Sequence, residues 1–308
     1  MEIAPLTSSS SASGRFKLGI LKHIFNKCDS IIRFTYTRVP LIRDLLRKIM
    51  FWQMYCSDFK HIDALFTKLV ETFDQYDITF KNKQILELGP GNSIALAMNF
   101  LCNSSGKYLM VDKYPRILKT EKQAKHLLEQ ITYFEEKYHS NLNNFINKDN
   151  LEFNEAFLTY MQDSAEDLRN ISSHSVDIIL SISVLEHIRD VEKSFKEMRR
   201  ILKEGGVMYH SIDLRDHYNS NEPLKFLKYS DFAWDNFLTK EGYSYTNRLR
   251  IYDYMELLAK YGFEIININK IIYDSDLTEQ KSFIKKFRDE DKENLKVLSI
   301  EILAKKRF

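Results

Sequence analysis

The chain has 308 residues, of which 44% are hydrophobic and 13% aromatic, so it can bury a substantial core and is not an intrinsically disordered protein. No run of about 18 apolar residues exists that could span a bilayer as a helix. The three cysteines (Cys28, Cys56 and Cys102) have no CxxC spacing, and no convincing signal peptide precedes them. We therefore expect a cytoplasmic protein without a disulfide or zinc framework.

The N-terminal part of the chain is basic. Residues 1–50 contain nine Lys or Arg and three acidic residues, although the formal charge of the whole chain is only +2. We predict a disordered, serine-rich tail over residues 1–14 and a helical cap over residues 15–80, with a break near Pro40. The apolar stripe of residues 15–50 has two open interpretations. It packs on the domain behind it, or it lies on the inner face of an anionic membrane as a peripheral contact.

From residue 81 the chain alternates short apolar segments with helical ones, which is typical of a parallel sheet covered by helices on both faces. We predict strands at 84–89, 107–112, 157–162, 176–183, 206–213, 263–273 and 296–306, and helices at 93–101, 114–137, 190–202 and 252–261. The last two strands can close the sheet as an antiparallel pair. The expected fold is α/β: a Rossmann-like, seven-stranded, mostly parallel sheet with an antiparallel edge strand and an N-terminal helical extension.

The stretch ILELGPGNS, residues 85–93, places a glycine-rich turn between a strand and a helix. Backbone N–H groups at such a turn can approach a ligand closely. A dinucleotide site would have a third glycine where Ile94 stands, and the sequence has no GxxxxGK[ST] phosphate-binding loop. Glu87 adds negative charge two residues before the turn, which favours a ligand that carries an ammonium or sulfonium group.

Two further acidic residues follow the next two predicted strands. Asp112 stands 21 residues after Gly91, a spacing at which a carboxylate reaches the hydroxyl groups of a ribose. Asp163 ends the third strand, where it can accept a hydrogen bond from an exocyclic amine such as that of adenine. Each acid alone is more typical of a helix cap or a turn. As an ordered series at the ends of consecutive strands, they predict a nucleoside site.

This series resembles the class I S-adenosylmethionine-dependent methyltransferases, in particular their broad small-molecule group, methyltransferase type 11. The segments that carry the resemblance are ELGPG at 87–91, Asp112, DSAEDL at 163–168, VDIILSISVLEHIRD at 176–190 and EMRRILKEGGVMYHSID at 197–213. The resemblance covers roughly residues 82–308 and implies an S-adenosylmethionine-binding domain over residues 81–308. Two departures are Ser93, where many members have a third glycine, and a crossover at 113–156 that is longer than usual.

The resemblance also implies a role for each position. The glycine turn would cradle the methionine part of the cofactor, with Glu87 near its amino group, Asp112 at the ribose and Asp163 at the adenine. The full set of residues predicted to bind the cofactor is Glu87, Gly89, Pro90, Gly91, Asn92, Asp112, Lys113, Asp163, Ser164, Ala165 and Ser181.

The sulfonium of this cofactor is already activated, so the protein mainly has to align an acceptor, and a base is needed only if the acceptor is protonated. His187, in SVLEHI after the fourth strand, is the first choice for that base. An equally weighted alternative is that Glu186 and His187 cap or pin the following helix. Some quinone-pathway and RNA-end methyltransferases with a similar motif bind magnesium through a further Glu three residues earlier. Ser183 stands there, so we expect no metal.

Acceptor specificity is expected in an insertion at about 214–250, because loops at the carboxyl ends of strands carry function in such sheets. Its DLRDHY and YTNRLR segments resemble a bacterial subgroup often assigned to surface-glycan or secondary pathways. We predict Asp213 and His217 as further catalytic residues and predict acceptor binding by Glu186, Arg215, Tyr218, Asn247 and Arg248. The arginines either hold a phosphate or carboxylate of the acceptor or pair with Asp216, Asp231 or Asp253 to fix the loop.

The expected activity is methyl transfer to an oxygen, or to a nitrogen, of a small polar metabolite or of a glycan or nucleotide-sugar precursor. Nucleic acid is not expected as the acceptor, because the chain beyond residue 50 is slightly acidic. The alternative is a catalytically inactive partner subunit that uses its basic N-terminal helices for protein or membrane contact. The polar cluster of His187, Asp213 and His217 favours the enzyme.

Overall fold

The computed structural model describes residues 59–308, except 115–116, 118–119, 218, 220, 240–244, 275 and 308. The predicted tail, the basic segment at 15–50 with its two interpretations, and Tyr218 therefore lie outside the described residues, as do Cys28 and Cys56. In the part of the chain that is described, no helix is both long enough and apolar enough to cross a membrane.

The strands of the described chain form one seven-stranded sheet. They are β1 Gln84–Leu88, β2 Lys107–Val111, β3 Leu158–Met161, β4 Val176–Ile182, β5 Leu202–Asp213, β6 Phe263–Ile272 and β7 Val297–Lys306. Their order in space is β3-β2-β1-β4-β5-β7-β6. Strands β1 to β5 pair in parallel, whereas β7 runs antiparallel to both β5 and β6. The predicted Rossmann-like sheet with antiparallel pairing towards one edge is confirmed.

The central strands β1 and β4 are nearly continuous apolar runs, because helices cover both faces of the sheet at that point. Alternate residues of β1 point to opposite faces, so that Ile85 belongs to one buried cluster and Leu86 to the other. The chain leaves β1 towards β2 and β3 on one side and returns at β4 on the other. The order of the strands therefore reverses between β1 and β4.

One face of the sheet is covered by α1 Phe59–Gln75, α2 Ala95–Cys102 and α3 Glu121–Tyr138. Helix α1 falls within the predicted cap at 15–80 and packs on α2 through Phe66 and Phe100, whose ring centroids are 5.0 Å apart. The predicted start of α3 at residue 114 is wrong. The helix begins at Glu121, because the side chain of Thr120 caps it by accepting a hydrogen bond from the backbone N–H of Gln123 at 3.2 Å.

The other face is covered by α4 Val191–Ile201 and α6 Ile251–Lys260, with the short helix α5 Asp231–Ala233 between them in the chain. The insertion after β5 builds a third, smaller apolar cluster, which includes Phe226, Trp234 and Tyr245. The connection from β6 to β7, with α7 Lys285–Arg288 and α8 Lys292–Lys296, contributes Phe287 to this cluster. The predicted insertion at 214–250 is thus packed against a segment that follows it by about 40 residues.

Candidate active site

A cavity of about 150 Å³, open to solvent, lies at the carboxyl ends of β1 and β4, where the strand order reverses. Ligands of open α/β sheets bind at such a reversal. The residues that line it are Leu88, Gly89, Val111, Asp112, Lys113, Tyr114, Asp163, Ser164, Ala165, Glu166, Ser183, Val184, His187, Ile188, Arg189 and Tyr245.

The turn after β1 needs glycine at position 89 for two reasons. The φ angle of Gly89 is +68°, a left-handed conformation that side chains disfavour. A Cβ atom on Gly89 would lie only 2.5 Å from a methyl carbon of Val184, which belongs to the turn after β4. The backbone N–H of Gly89 donates to the carbonyl oxygen of Val111 at 2.8 Å. The glycine therefore lets the turns after β1, β2 and β4 meet closely at the cavity.

The carboxylate of Asp112 is held at the cavity by two backbone groups. One of its oxygens accepts a hydrogen bond from the N–H of Gly91 at 3.1 Å, and the other accepts one from the N–H of Tyr114 at 2.8 Å. Asp112 is only 6% exposed, so its position is fixed before any ligand enters. A fixed, buried acceptor at this place suits a ligand that presents hydroxyl groups.

Glu87 lies behind the cavity lining, in the buried part of β1. Its carboxyl group accepts a hydrogen bond of 2.9 Å from the hydroxyl of Tyr108 in β2. Burial raises the pKa of Glu87 to about 8, and the nearby charge of Asp112 adds to this effect, while the Tyr108 hydrogen bond opposes it. Glu87 is therefore protonated at neutral pH in the ligand-free protein.

The third side of the cavity is formed by the segment after β3. The Asp163 carboxylate accepts hydrogen bonds from the N–H of Ser164 at 3.0 Å and from the side-chain amide of Asn170 at 2.9 Å. Glu166 accepts a hydrogen bond from the N–H of Asp190 at 2.9 Å and thereby links this segment to the start of α4. The predicted acids at the ends of β2 and β3 thus face one cavity.

A further contact that the sequence did not reveal fixes the loop after the glycine turn. The side chain of Gln130, in α3, is fully buried. Its oxygen accepts hydrogen bonds from the Ser93 hydroxyl at 3.1 Å and from the N–H of Ile94 at 2.9 Å, and its amide donates to the carbonyl oxygen of Asn92 at 3.2 Å. Gln130 belongs to the long crossover at 113–156, so this crossover supports the site from behind.

The far end of the cavity carries the predicted acceptor-side residues. The Nδ1 atom of His187 is 2.7 Å from the carbonyl oxygen of Tyr245. The rings of His187 and His217 meet edge to face with centroids 5.0 Å apart, and Nε2 of His217 is 3.7 Å from a carboxylate oxygen of Asp213. Asp213 in turn accepts two hydrogen bonds from the Arg215 guanidinium, at 2.8 and 2.7 Å. The structure therefore brings His187, His217 and Asp213 together.

The charge of Asp213 is stabilised by its neighbours. Burial raises its pKa, but the hydrogen bonds from Arg215 and the nearby His217 outweigh this effect and lower the pKa below its ordinary value. Glu186 is different, because it is 2% exposed and its pKa is raised to about 8 by burial, with the charge of Asp213 adding to the effect. One of its oxygens accepts a hydrogen bond from the backbone N–H of Asp213 at 3.3 Å.

The remaining predicted cofactor residues lie near the cavity without lining it. Pro90, Gly91 and Asn92 complete the turn behind Gly89. Ser181 is fully buried within β4, and its hydroxyl is 2.7 Å from Nδ1 of His210 in β5, so it is directed along the sheet and not into the cavity. The residues that were predicted to bind the cofactor and that line the cavity are Gly89, Asp112, Lys113, Asp163, Ser164 and Ala165.

Two predicted acceptor-binding residues instead brace the insertion. The side-chain amide of Asn247 donates to the carbonyl oxygens of Leu185 and Ile188, at 2.7 and 3.2 Å, and so holds the turn that carries His187. Arg248 is 4% exposed, forms an ion pair with Asp231, and donates to the carbonyl oxygen of Tyr229 at 2.6 Å. Of the two interpretations for the arginines, loop fixation describes Arg248.

Arg189 and Tyr245 form a part of the cavity wall that the sequence did not predict. The guanidinium of Arg189 lies 4.1 Å from the centre of the Tyr245 ring. Ser183, also in the wall, has a φ angle of +52°, an uncommon conformation for a residue other than glycine. Arg189 directly follows the SVLEHI segment, so its position in the sequence was a usable signal. Tyr245 lies 56 residues later and gave none.

A known protein family matches part of the chain. Residues 86–210, from β1 to β5, match the family model described as a methyltransferase domain. No curated protein matches the sequence. Among solved structures, the YcgJ protein from Bacillus subtilis is 16% identical, with a TM-score of 0.42, and the alignment covers 78% of this chain and 98% of that one.

An arsenic(III) S-adenosylmethionine methyltransferase from Chlamydomonas reinhardtii is 17% identical, with a TM-score of 0.44, and the alignment covers 74% of this chain and 64% of that one. The matched domain contains the glycine turn and the acids after β2 and β3. The chain therefore carries a methyltransferase domain over residues 86–210, and S-adenosylmethionine is its methyl donor.

Proposed function

We propose that this enzyme methylates a hydroxyl oxygen of a small, anionic polar acceptor, such as a phosphorylated or nucleotide-linked sugar, which enters the cavity beside His187. The observation that carries the proposal is that His187 lines the same cavity as Gly89, Asp112 and Asp163. An acceptor next to His187 would therefore share one cavity with the cofactor. Methyl transfer requires this proximity, because the acceptor oxygen must be aligned with the methyl group.

The cavity suits the chemistry of S-adenosylmethionine. Asp112 and Asp163 offer carboxylates to the ribose hydroxyls and the adenine amine, and the carboxyl group of Glu87, behind the lining, would lose its proton beside the positively charged amino group of the methionine part. The rest of the lining includes apolar side chains, which suit the flat adenine base of the cofactor. They are Leu88, Val111, Ala165, Val184 and Ile188. When bound, the cofactor supplies a methyl group that its sulfonium already activates.

His187 is the residue that we assign to the proton of the acceptor. A carbonyl oxygen can only accept a hydrogen bond, so the Nδ1 atom of His187, at 2.7 Å from the Tyr245 oxygen, carries the hydrogen in the neutral ring. Nε2 is then the basic nitrogen. As the new carbon–oxygen bond forms and the carbon–sulfur bond breaks, the hydroxyl proton passes to Nε2.

Arg189 supports an acceptor that carries a phosphate or carboxylate. Its guanidinium is exposed at the cavity wall, where it is stacked on Tyr245. The guanidinium of Arg215, by contrast, donates two hydrogen bonds to Asp213. Guanidinium groups bind phosphate and carboxylate oxygens in pairs, which suits recognition of an anionic sugar derivative.

The test is a transfer assay with methyl-labelled S-adenosylmethionine over matched acceptors: sugar nucleotides, sugar phosphates, the corresponding neutral sugars, and amines. We expect product with the anionic hydroxyl acceptors. His187→Gln should lower kcat by at least about 100-fold without weakening cofactor binding. His61→Ala, on the exposed face of α1, is the control and should change neither quantity. Methylation of amines alone, or full activity of His187→Gln, would overturn the proposal.

A further inference from the structure

Three side chains that can bind a metal ion meet beside the acceptor end of the cavity, and one of them, His187, belongs to the cavity lining. Among the residues described, Glu186, His187 and His217 each offer one ligand atom, and these atoms lie within 4.8 Å of one another. Glu186 and His187 belong to the turn after β4, whereas His217 follows β5. Because β4 and β5 are parallel neighbours, their carboxyl ends bring the three groups together.

His187 has the arrangement of a metal ligand. Histidines that bind metals usually donate their second ring N–H to a carbonyl or carboxylate oxygen, which fixes the ring and its tautomer. The Nδ1 atom of His187 makes this contact with the Tyr245 carbonyl oxygen at 2.7 Å. The ring therefore directs Nε2, its basic nitrogen, away from the Tyr245 carbonyl oxygen.

His217 has a carboxylate nearby, but at a distance too long for a hydrogen bond. Nε2 of His217 lies 3.7 Å from a carboxylate oxygen of Asp213, and the Asp213 carboxylate is itself held by two hydrogen bonds from Arg215. A nearby carboxylate increases the basicity of the ring and so its strength as a ligand. The rings of His187 and His217 meet edge to face, with centroids 5.0 Å apart.

Glu186 has a buried carboxyl group that the described residues do not fully satisfy with hydrogen bonds. Its side chain is 2% exposed, and one carboxylate oxygen accepts a hydrogen bond from the backbone N–H of Asp213 at 3.3 Å. The other oxygen, Oε2, has no hydrogen-bond donor among the described residues. Leaving a buried polar atom without a partner is costly, and a bound cation would satisfy it.

We propose that Glu186, His187 and His217 bind one divalent transition-metal ion of the Mn²⁺, Fe²⁺, Co²⁺ or Zn²⁺ type. Two imidazoles and one carboxylate favour these ions over Mg²⁺ and Ca²⁺, which prefer oxygen ligands. The sequence predicted no metal, because Ser183 occupies the place of a further acid. His217, 30 residues after His187, supplies the third ligand instead.

The role of the ion rests on the proposed function, although its binding does not. A cation at this point would attract the oxygen of a hydroxyl acceptor and lower the pKa of that hydroxyl. When the ion is bound, Nε2 of His187 would be a ligand and not the base, and the acceptor proton would pass to water instead. The enzyme would therefore be selective for acceptors that offer oxygen atoms.

The experiment uses the full chain, stripped of metal with a chelator that is then removed, and Co²⁺ as the probe. Co²⁺ binding is followed by its visible absorption and by calorimetry, without cofactor or acceptor. We expect one Co²⁺ per chain in the micromolar range or tighter. Glu186→Gln and His217→Ala should each weaken Co²⁺ binding by at least about 10-fold. Loss of a residue that only supports a metal ligand already weakens metal binding by about that factor, and loss of a ligand should weaken it at least as much. His61→Ala should bind Co²⁺ as the unaltered protein does.

Thermal unfolding and the affinity for S-adenosylmethionine show whether each variant is folded. Neither Glu186 nor His217 lines the cavity, so a folded variant should bind the cofactor as the unaltered protein does. The proposal is overturned if the folded, unaltered protein does not bind Co²⁺, or if Glu186→Gln and His217→Ala bind it equally well. Methyl transfer that persists in chelator would overturn the role of the ion but leave the proposed function intact. Co²⁺ binding without methylation of any hydroxyl acceptor would overturn the proposed function alone.

Discussion

The hydroxyl of Tyr108 donates a 2.9 Å hydrogen bond to the carboxyl group of Glu87, and both side chains are buried between β1 and β2 and their covering helices. Burial, reinforced by the charge of Asp112, raises the pKa of Glu87 to about 8 despite this bond. The unfolded chain would titrate near the ordinary value of 4.5. Between these two values the folded protein binds the proton more tightly, so its stability falls as the pH rises.

We therefore predict that Glu87→Gln flattens the pH dependence of stability. Between pH 5 and about 8, the free energy of unfolding of the unaltered protein should fall relative to the variant by up to about 1.4 kcal/mol per pH unit. Urea denaturation at several pH values measures this. Parallel curves for the two proteins would show that Glu87 is ionised in the folded state. Tyr108→Phe, which removes the opposing hydrogen bond, should extend the fall to higher pH.

A second prediction concerns the two glycines of the turn. Gly89→Ala should lower the free energy of unfolding by about 2–4 kcal/mol, because it adds left-handed strain and a contact of 2.5 Å with Val184. Gly91→Ala is the matched control. Its φ angle is +65°, but its added carbon meets no atom of the described residues within 4 Å, so we expect only about 1 kcal/mol from backbone strain. If Gly89→Ala and Gly91→Ala lowered the free energy of unfolding equally, the contact with Val184 would not limit the residue at position 89.

A third prediction tests the buried amide behind the glycine turn. Gln130→Ala removes three hydrogen bonds to the segment from Asn92 to Ile94 and should cost about 1–3 kcal/mol of stability. Because this segment follows the turn directly, the KM for S-adenosylmethionine should rise. Glu136→Ala, on the exposed side of α3, is the control and should leave both quantities unchanged. A stability loss without any change in KM would show that the loop does not need Gln130 for cofactor binding.

The fourth prediction separates two arginines by their surroundings. Arg248→Met should lower stability by about 2–4 kcal/mol, because it leaves Asp231 and the carbonyl oxygens of Phe226 and Tyr229 without their donor. Arg189→Met should change stability by less than about 0.5 kcal/mol, because Arg189 is exposed. It should instead raise the KM of an anionic acceptor. Calorimetric unfolding measures the stability of both variants, and steady-state kinetics measures their KM values. If Arg189→Met were the destabilising variant, the structural role of Arg248 and the acceptor-binding role of Arg189 would be contradicted.

The sequence was sufficient to predict the sheet, because its strands are short apolar runs separated by clear breaks. Strand β1 and the glycine turn illustrate this, since a local pattern determines both the strand and its end. Asp112 and Asp163 could also be predicted, because the carboxyl ends of parallel strands converge on one edge. These positions depend on chain order, which the sequence contains directly.

Contacts between distant segments could not be predicted in the same way. Ser181 was expected at the cofactor, but the register of β4 and β5 pairs its hydroxyl with His210. Gln130 accepts a hydrogen bond from Ile94, and the carbonyl oxygen of Tyr245 contacts His187. In both pairs the partners are more than 35 residues apart in the chain. Only the packing of helix on loop selects such a partner, and no local pattern indicates it. The third apolar cluster was missed for the same reason.

We expect S-adenosylmethionine to bind at the carboxyl ends of β1, β2 and β3. The decisive test is a crystal structure of the full chain grown with saturating S-adenosylhomocysteine. We predict density for the nucleoside in the cavity, with its ribose hydroxyls against the carboxylate of Asp112 and its base beside Asp163. Density for the ligand at another site, or an empty cavity in a chain that calorimetry shows to be saturated, would contradict it.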